Sequence, residues 1–222
     1  MNATDRMKKS RLAALAAALC LGACASAPIR YHTLLPAPER APSGAPAPGF
    51  LIDVLAVGVP ARIDQAQLVV REGPAGVAVL DGERWAGPLS DELRGALSAE
   101  LTRLLGARDI AGLGAPARKS ILRIQLEVRR LDAWPGRKVA LDADWSLRFA
   151  EDAAHVRLLC GGRFEEAAPG GYGEMILGEQ RLIAALAERI AEDARRWQRS
   201  RAAACSGGER EVVEWKTQAR EE

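Results

Sequence analysis

The stretch ILRIQLEVRRLDAWPGRKVALDADWSLRF, residues 121–149, decides the fold. Leu122, Ile124, Leu126 and Val128 alternate with Arg123, Gln125, Glu127 and Arg129. After the turn signal Trp134-Pro135-Gly136, the alternation resumes with Leu141, Ala143, Trp145, Leu147 and Phe149 opposite Asp142, Asp144, Ser146 and Arg148. Side chains on a strand point to opposite faces with a period of two, so this is a hairpin with one buried and one wet face. HVRLLCGGRF, residues 155–164, adds a third strand after a turn at 151–154. Three consecutive half-buried strands imply an antiparallel meander.

A sheet with one apolar face needs a cover, and two helical patterns supply it. From Pro88 to Leu105 the apolar positions are Leu89, Leu93, Leu97, Leu101 and Leu104/Leu105. Pro88 suits a first turn, Asp91 and Glu92 suit the positive end of the dipole, and Gly106 suits the stop. The second pattern runs from about Gly173 to Arg199 with Met175, Leu182, Ile183, Leu186, Ile190, Ala194 and Trp197 at helical spacing. Arg195, Arg196, Arg199 and Arg201 cluster at its end, where they complement the dipole and could also face acidic headgroups or a partner.

Upstream, RYHTLLPAP supplies a short first strand at 30–35, and PAPERAPSGAPAPG, residues 36–49, places five prolines in fourteen positions, a spacer or long surface loop. FLIDVLAVGVP, residues 50–60, is apolar on both faces apart from Asp53, as expected of a central strand covered on both sides. QLVVR and GVAVL, flanking Glu72–Gly76, form a hairpin. The expected class is α+β: a mostly antiparallel sheet with two long helices packed on one face. Residues 50–199 form that domain, and 200–222 read as a polar, loose tail.

LAALAAALCLGACASAP, residues 12–28, follows Arg6, Lys8, Lys9 and Arg11. Its apolar run ends near Ala23, well short of the roughly 20 residues that span a bilayer, and its small-residue ending describes an export signal. Leu21-Gly22-Ala23-Cys24 resembles the lipobox of bacterial lipoproteins, which implies removal of residues 1–23 and lipidation of Cys24. Cys20 fails the pattern because Leu19 precedes it. Ordinary cleavage after Ala27 would leave Pro28 past the cut, and a retained core helix is the third reading. Ala25 after the cysteine goes with sorting to the outer membrane.

Lys and Arg number 31 against 29 Asp and Glu, and four of the basic residues leave with the signal, so no field suited to nucleic acid remains. Cys160 and Cys205 are left as a pair that could form a disulfide in an oxidising periplasm. Catalytic patterns are weak. His32 beside the tether and His155 in a hairpin support neither a zinc site nor a serine–histidine pair. Asp142 and Asp144 share a strand face, yet with Ser146 and Arg148 they form an ordinary polar side. AGLGAPARKS, residues 111–120, lacks the glycines of a phosphate loop and leads into a strand. No catalytic residue, metal or cofactor is assigned beyond the lipid on Cys24.

The lipobox, RYHTLLPAP, VGVPARIDQAQLVVR, ERWAGPLSDELRGALSAELTRLLG, LRIQLEVRRLDAWPGRKVALDADWSL and GYGEMILGEQRLIAALAERIAED, in that order over residues 20–197, resemble the PqiC-type ABC-transport auxiliary lipoproteins. The resemblance implies a fold similar to the N-terminal domain of TolB. It also implies a non-enzymatic lipoprotein on the periplasmic face of the outer membrane. Its partners would be an MCE-domain protein and an ABC permease that move lipid between membranes, with a homo-oligomer as a further option. Arg84, Trp85, Pro88 and Tyr172, which flank helix starts, are the partner-contact candidates. Core packing, or packing where a helix begins, is the other reading of Trp85 and Tyr172. A structural or assembly outer-membrane lipoprotein without a transport role is the alternative function, and a periplasmic hydrolase is the third class.

Overall fold

The computed structural model describes residues 28–37, 49–114, 119–152 and 156–207, with the backbone of a last strand at 212–214. Cys24, most of the proline-rich spacer, His155 and most of the final segment lie outside the described residues. The elements run β1 (Arg30–His32), β2 (Phe50–Val54), β3 (Gln67–Glu72), β4 (Gly76–Trp85), α1 (Leu89–Leu105), β5 (Ser120–Trp134), β6 (Lys138–Phe149), β7 (Val156–Ala167), α2 (Tyr172–Arg199) and β8 (Val212–Glu214). They form a five-stranded sheet ordered β2-β5-β6-β7-β8 and a three-stranded sheet ordered β1-β4-β3. The class is α+β, with β5, β6 and β7 antiparallel and both β1–β4 and β2–β5 parallel.

The alternation in 121–149 translates directly into burial. Leu122, Ile124, Leu126 and Val128 of β5 and Leu141, Ala143, Trp145, Leu147 and Phe149 of β6 are all buried on one face. Against that face lie Leu182, Ile183, Leu186, Ile190, Ala194 and Trp197 of α2, with Leu93, Leu97 and Leu101 of α1 in the same core. Helix α1 stops at Gly106, whose φ of 64° needs the left-handed region that glycine occupies without a Cβ clash. Its amide closes the last turn on Thr102 O at 2.9 Å.

Strand β2 is not central. It is the edge strand of the five-stranded sheet, with Phe50, Ile52 and Val54 buried and Leu51 and Asp53 half-buried. Its apolar run is tolerated because the outer edge is covered: Ile52 N donates to Arg108 O at 3.1 Å, and Ile110 N donates to Ile52 O at 2.9 Å. An edge whose backbone groups are satisfied no longer needs the charges that protect an open one.

The segment after Ser200 is also not loose along its described length. Cys205 forms a disulfide with Cys160 on β7, with Cα atoms 5.8 Å apart. Ser206 N donates to Asp193 at 2.6 Å, and β8 adds an antiparallel strand to β7. Asp193, fully buried on α2, also accepts the indole N–H of Trp145 at 3.0 Å. One carboxylate therefore ties helix, sheet and C-terminal segment together.

Candidate functional site

Residues 30–35 lie as a strap across the small sheet and the two helices. Strand β1 pairs with the end of β4, setting Tyr31 opposite Arg84 and His32 opposite Trp85. Glu83, nearly buried, takes the guanidinium of Arg30, whose Nε lies at 2.8 Å, and stands 2.6 Å from His32 Nε2. The hydrogen bond from Arg30 holds the Glu83 carboxyl below the usual carboxylate range, overcoming the opposing effect of burial, and His32 adds to it.

The next residues are gripped by both helices. Glu92, in the first turn of α1, accepts the Thr33 hydroxyl at 2.7 Å and the Leu34 amide at 2.8 Å. Gln180 of α2 donates to Thr33 O at 3.0 Å and Leu35 O at 3.4 Å. Leu34 is 1% exposed, and Leu35 packs over Gly95, where a Cβ would lie 3.5 Å from its Cδ1. By sequence alone Glu92 reads as a helix-dipole residue. Its clamping role required knowing that residue 34 returns to that helix end.

The four contact candidates gather around this strap but differ in exposure. Trp85 is 5% exposed and belongs to the core, so of its two readings the structure gives packing, and it offers no surface to a partner. Its amide donates to Ala66 O at 2.8 Å. Arg84 is half-buried and Pro88, the residue before α1, is exposed. Tyr172 opens α2 half-buried against the core and lies close enough to Arg30 to act on its charge.

The tempting acidic pair on β6 is engaged. Asp142 takes Arg163 at 2.7 and 3.2 Å, and Asp144 takes Arg129 Nε at 2.8 Å. Cys160, Cys205 and Asp193 bring ligand-type atoms within 4.8 Å of one another, but the two sulfurs are joined to each other. Of the basic cluster ending α2, Arg195 donates to Leu104 O at 2.7 Å, closing the end of α1. Arg196 pairs with Glu192 at 2.7 Å. Arg201 pairs with Asp152 at 3.0 Å and stacks 4.0 Å over the Phe149 ring. These three arginines serve the fold.

Glu83, Asp132, Asp193 and Glu179 are buried carboxyls that no sequence pattern singles out. Glu179 on α2 is 3% exposed, and its Oε2 has no hydrogen-bond partner. It borders a cavity of about 10 Å³ with Trp85, Leu89 and Leu131 among its lining residues. Burial pushes its pKa up to about 8, so near neutral pH it carries a proton. Among the described residues no helix is long and apolar enough to cross a membrane.

Two solved structures share the fold. One, an uncharacterized protein, is 19% identical with a TM-score of 0.59, covering 76% of this chain and 99% of its own. The other, from Xanthomonas campestris, is 16% identical with a TM-score of 0.56, covering 78% and 100%. No curated protein sequence matches. Residues 32–191, which run from the strap through most of α2, match the family described as ABC-type transport auxiliary lipoprotein component. That span takes in α1, most of α2, the large sheet up to β7 and the Glu92 and Gln180 clamp, and the chain belongs to this family of transport auxiliary lipoproteins.

Proposed function

We propose that this chain is an outer-membrane-anchored, periplasmic auxiliary subunit of an ABC/MCE-type intermembrane lipid transport system. Its role there is to dock the MCE component to the outer membrane. Residues 1–23 are the signal, and Cys24 carries the lipid. The observation that carries the reading is the family match over residues 32–191, an auxiliary family rather than an enzyme family. ATP hydrolysis belongs to another polypeptide, and this subunit contributes a fixed surface.

The strap supports that role mechanically. Six positions separate Cys24 from Arg30, so the lipid acts on a short lead whose far end is gripped by Glu83, Glu92 and Gln180. Two or three acyl chains, each contributing roughly 0.8 kcal/mol per buried CH2, make such an anchor durable. Arg84, Pro88 and Tyr172 are the surface candidates for the docked partner, with a second copy of the chain as a further neighbour. Trp85 supports them from beneath.

In-cell crosslinking of the tagged chain, followed by membrane separation and mass spectrometry, tests this. The expected result is recovery in the outer-membrane fraction with an MCE-domain protein, lost in Cys24→Ala. Recovery with outer-membrane assembly or cell-wall proteins alone overturns the transport role and leaves a structural lipoprotein.

A further inference from the structure

We propose that the tip of the β3–β4 hairpin is a membrane seat, resting on the same lipid surface that holds the Cys24 anchor. The proposal rests on the anchor reading and adds how the domain is oriented beneath it. Apolar side chains stand exposed on this hairpin. Between Arg71 and Asp81 the sequence is EGPAGVAVL, and Glu72 is its one charge. Pro74 and Ala75 are exposed at the turn, while Val77 and Val79 are 56% and 48% exposed on the outer side of β4. Leu68, Val70 and Trp85 of the same sheet fill the core, so the hairpin is held from behind and bare in front.

The direction of the tether selects the occupant. Strand β1 runs parallel to β4 with Arg30 level with Glu83, so it enters from the side of the small sheet on which the β3–β4 turn lies. Ile29, just before β1, is 44% exposed. From Arg30 to Cys24 is six positions. At 3.3–3.6 Å per extended residue, that lead reaches about 20 Å at most. The lipid therefore stays within that distance of Arg30, and a bilayer on the side from which β1 enters meets the hairpin first.

The chemistry beside the tip fits an interface. Arg62 and Arg71 line a cavity of about 120 Å³ beneath Val77, with Arg71 also bound to Asp132 at 2.5 Å. Apolar side chains flanked by the exposed Arg62 guanidinium suit the boundary between acyl chains and anionic headgroups. A second copy adding a strand to the open stretch of β4 would use the same surface, and the test separates the two.

The experiment uses the full lipidated chain in phosphatidylethanolamine–phosphatidylglycerol vesicles, with an environment-sensitive fluorophore on Val77→Cys, Val79→Cys or Leu113→Cys. Cys160 and Cys205 are joined and Cys24 carries the lipid, so the introduced thiol takes the label. Leu113 is an equally exposed apolar control at the far end of the domain. Its loop bonds Ile52, which pairs with Leu122, whereas the hairpin packs near Leu131. About nine residues of β5, roughly 30 Å, lie between. The expected result is a several-fold fluorescence gain at 77 and 79, quenched by nitroxide-labelled lipid, with no change at 113. Probes at 77 and 79 that stay water-exposed on a chain that floats with the vesicles overturn the seat alone. A gain that needs no vesicles assigns the surface to a second copy and likewise overturns it. An intact mass lacking the lipid on Cys24 overturns the anchor and the seat together.

Discussion

Glu92 accepts the amide N–H of Leu34 at 2.8 Å, across 58 positions of sequence, and so fixes the chain just where it leaves the tether. The same carboxylate takes the Thr33 hydroxyl. Hydrogen bonds to charged groups contribute about 1.5–3 kcal/mol each, and truncation would leave a buried amide unsatisfied. Glu92→Ala is expected to lower unfolding free energy by about 2–4 kcal/mol and to open residues 28–37 to proteolysis. Denaturant titration and timed digestion measure both. A stable variant with a protected strap would show that packing of Leu34 alone holds the segment.

Glu179 predicts a pH dependence of definite sign. Its pKa is about 8 in the fold against an ordinary 4.5 when unfolded. Between these values the folded chain keeps a proton that the unfolded chain releases, so rising pH favours unfolding. The slope is about 1.4 kcal/mol per pH unit, fully relieved below the lower value. Glu179→Gln keeps the shape without the titration. Its denaturant midpoint is expected to change far less than that of the native chain across the window. Equal slopes in the two proteins would assign the dependence to other groups.

The Cys160–Cys205 disulfide closes a loop of 45 positions. By the chain-entropy argument, opening such a loop costs about 4 kcal/mol, within the 2–5 kcal/mol seen when small secreted domains lose a bridge. The double variant Cys160→Ala/Cys205→Ala is expected to lose about that much and to free the segment after Ser200. Asp193 would then hold Ser206 without help. Chemical denaturation and hydrogen exchange at residues 201–207 provide the readout.

The meander was legible because its alternation is local: each inward residue of β5 and β6 announces its face by its neighbours two positions away. The helices were legible for the same reason. What escaped depends on contacts distant in sequence. Nothing in FLIDVLAVGVP reveals that residues 108–110 cover its edge, so an apolar edge strand reads like a central one. Cys205 sits in a polar stretch, and only the arrival of that stretch beside β7 makes it a bridge partner. Glu179 lies on the apolar stripe of α2, four positions after Met175 and three before Leu182, so its inward face is local information, but that its carboxyl meets Trp85 and Leu89 without a partner is not. The strap lay between: its residues carry the family pattern, but the clamp on Glu92 is a tertiary fact.

Trp85 and Tyr172, both near β1, separate packing from partner contact. Trp85→Ala is expected to cost about 3–5 kcal/mol, as truncation of a buried aromatic does. Any loss of partner crosslinking in that variant should then track loss of fold. Pro88 is exposed and Tyr172 half-buried, so Pro88→Ala and Tyr172→Ala are expected to shift stability by about 1 kcal/mol or less. Thermal melting paired with in-cell crosslinking decides the matter. Reduced crosslinking with an unchanged melt in the Tyr172 or Pro88 variant marks the docking surface beside the strap. Full crosslinking in both moves that surface away from the helix starts and leaves their pattern to helix geometry. A Trp85→Ala chain that folds normally yet loses its partner would return the indole to the interface, against its burial.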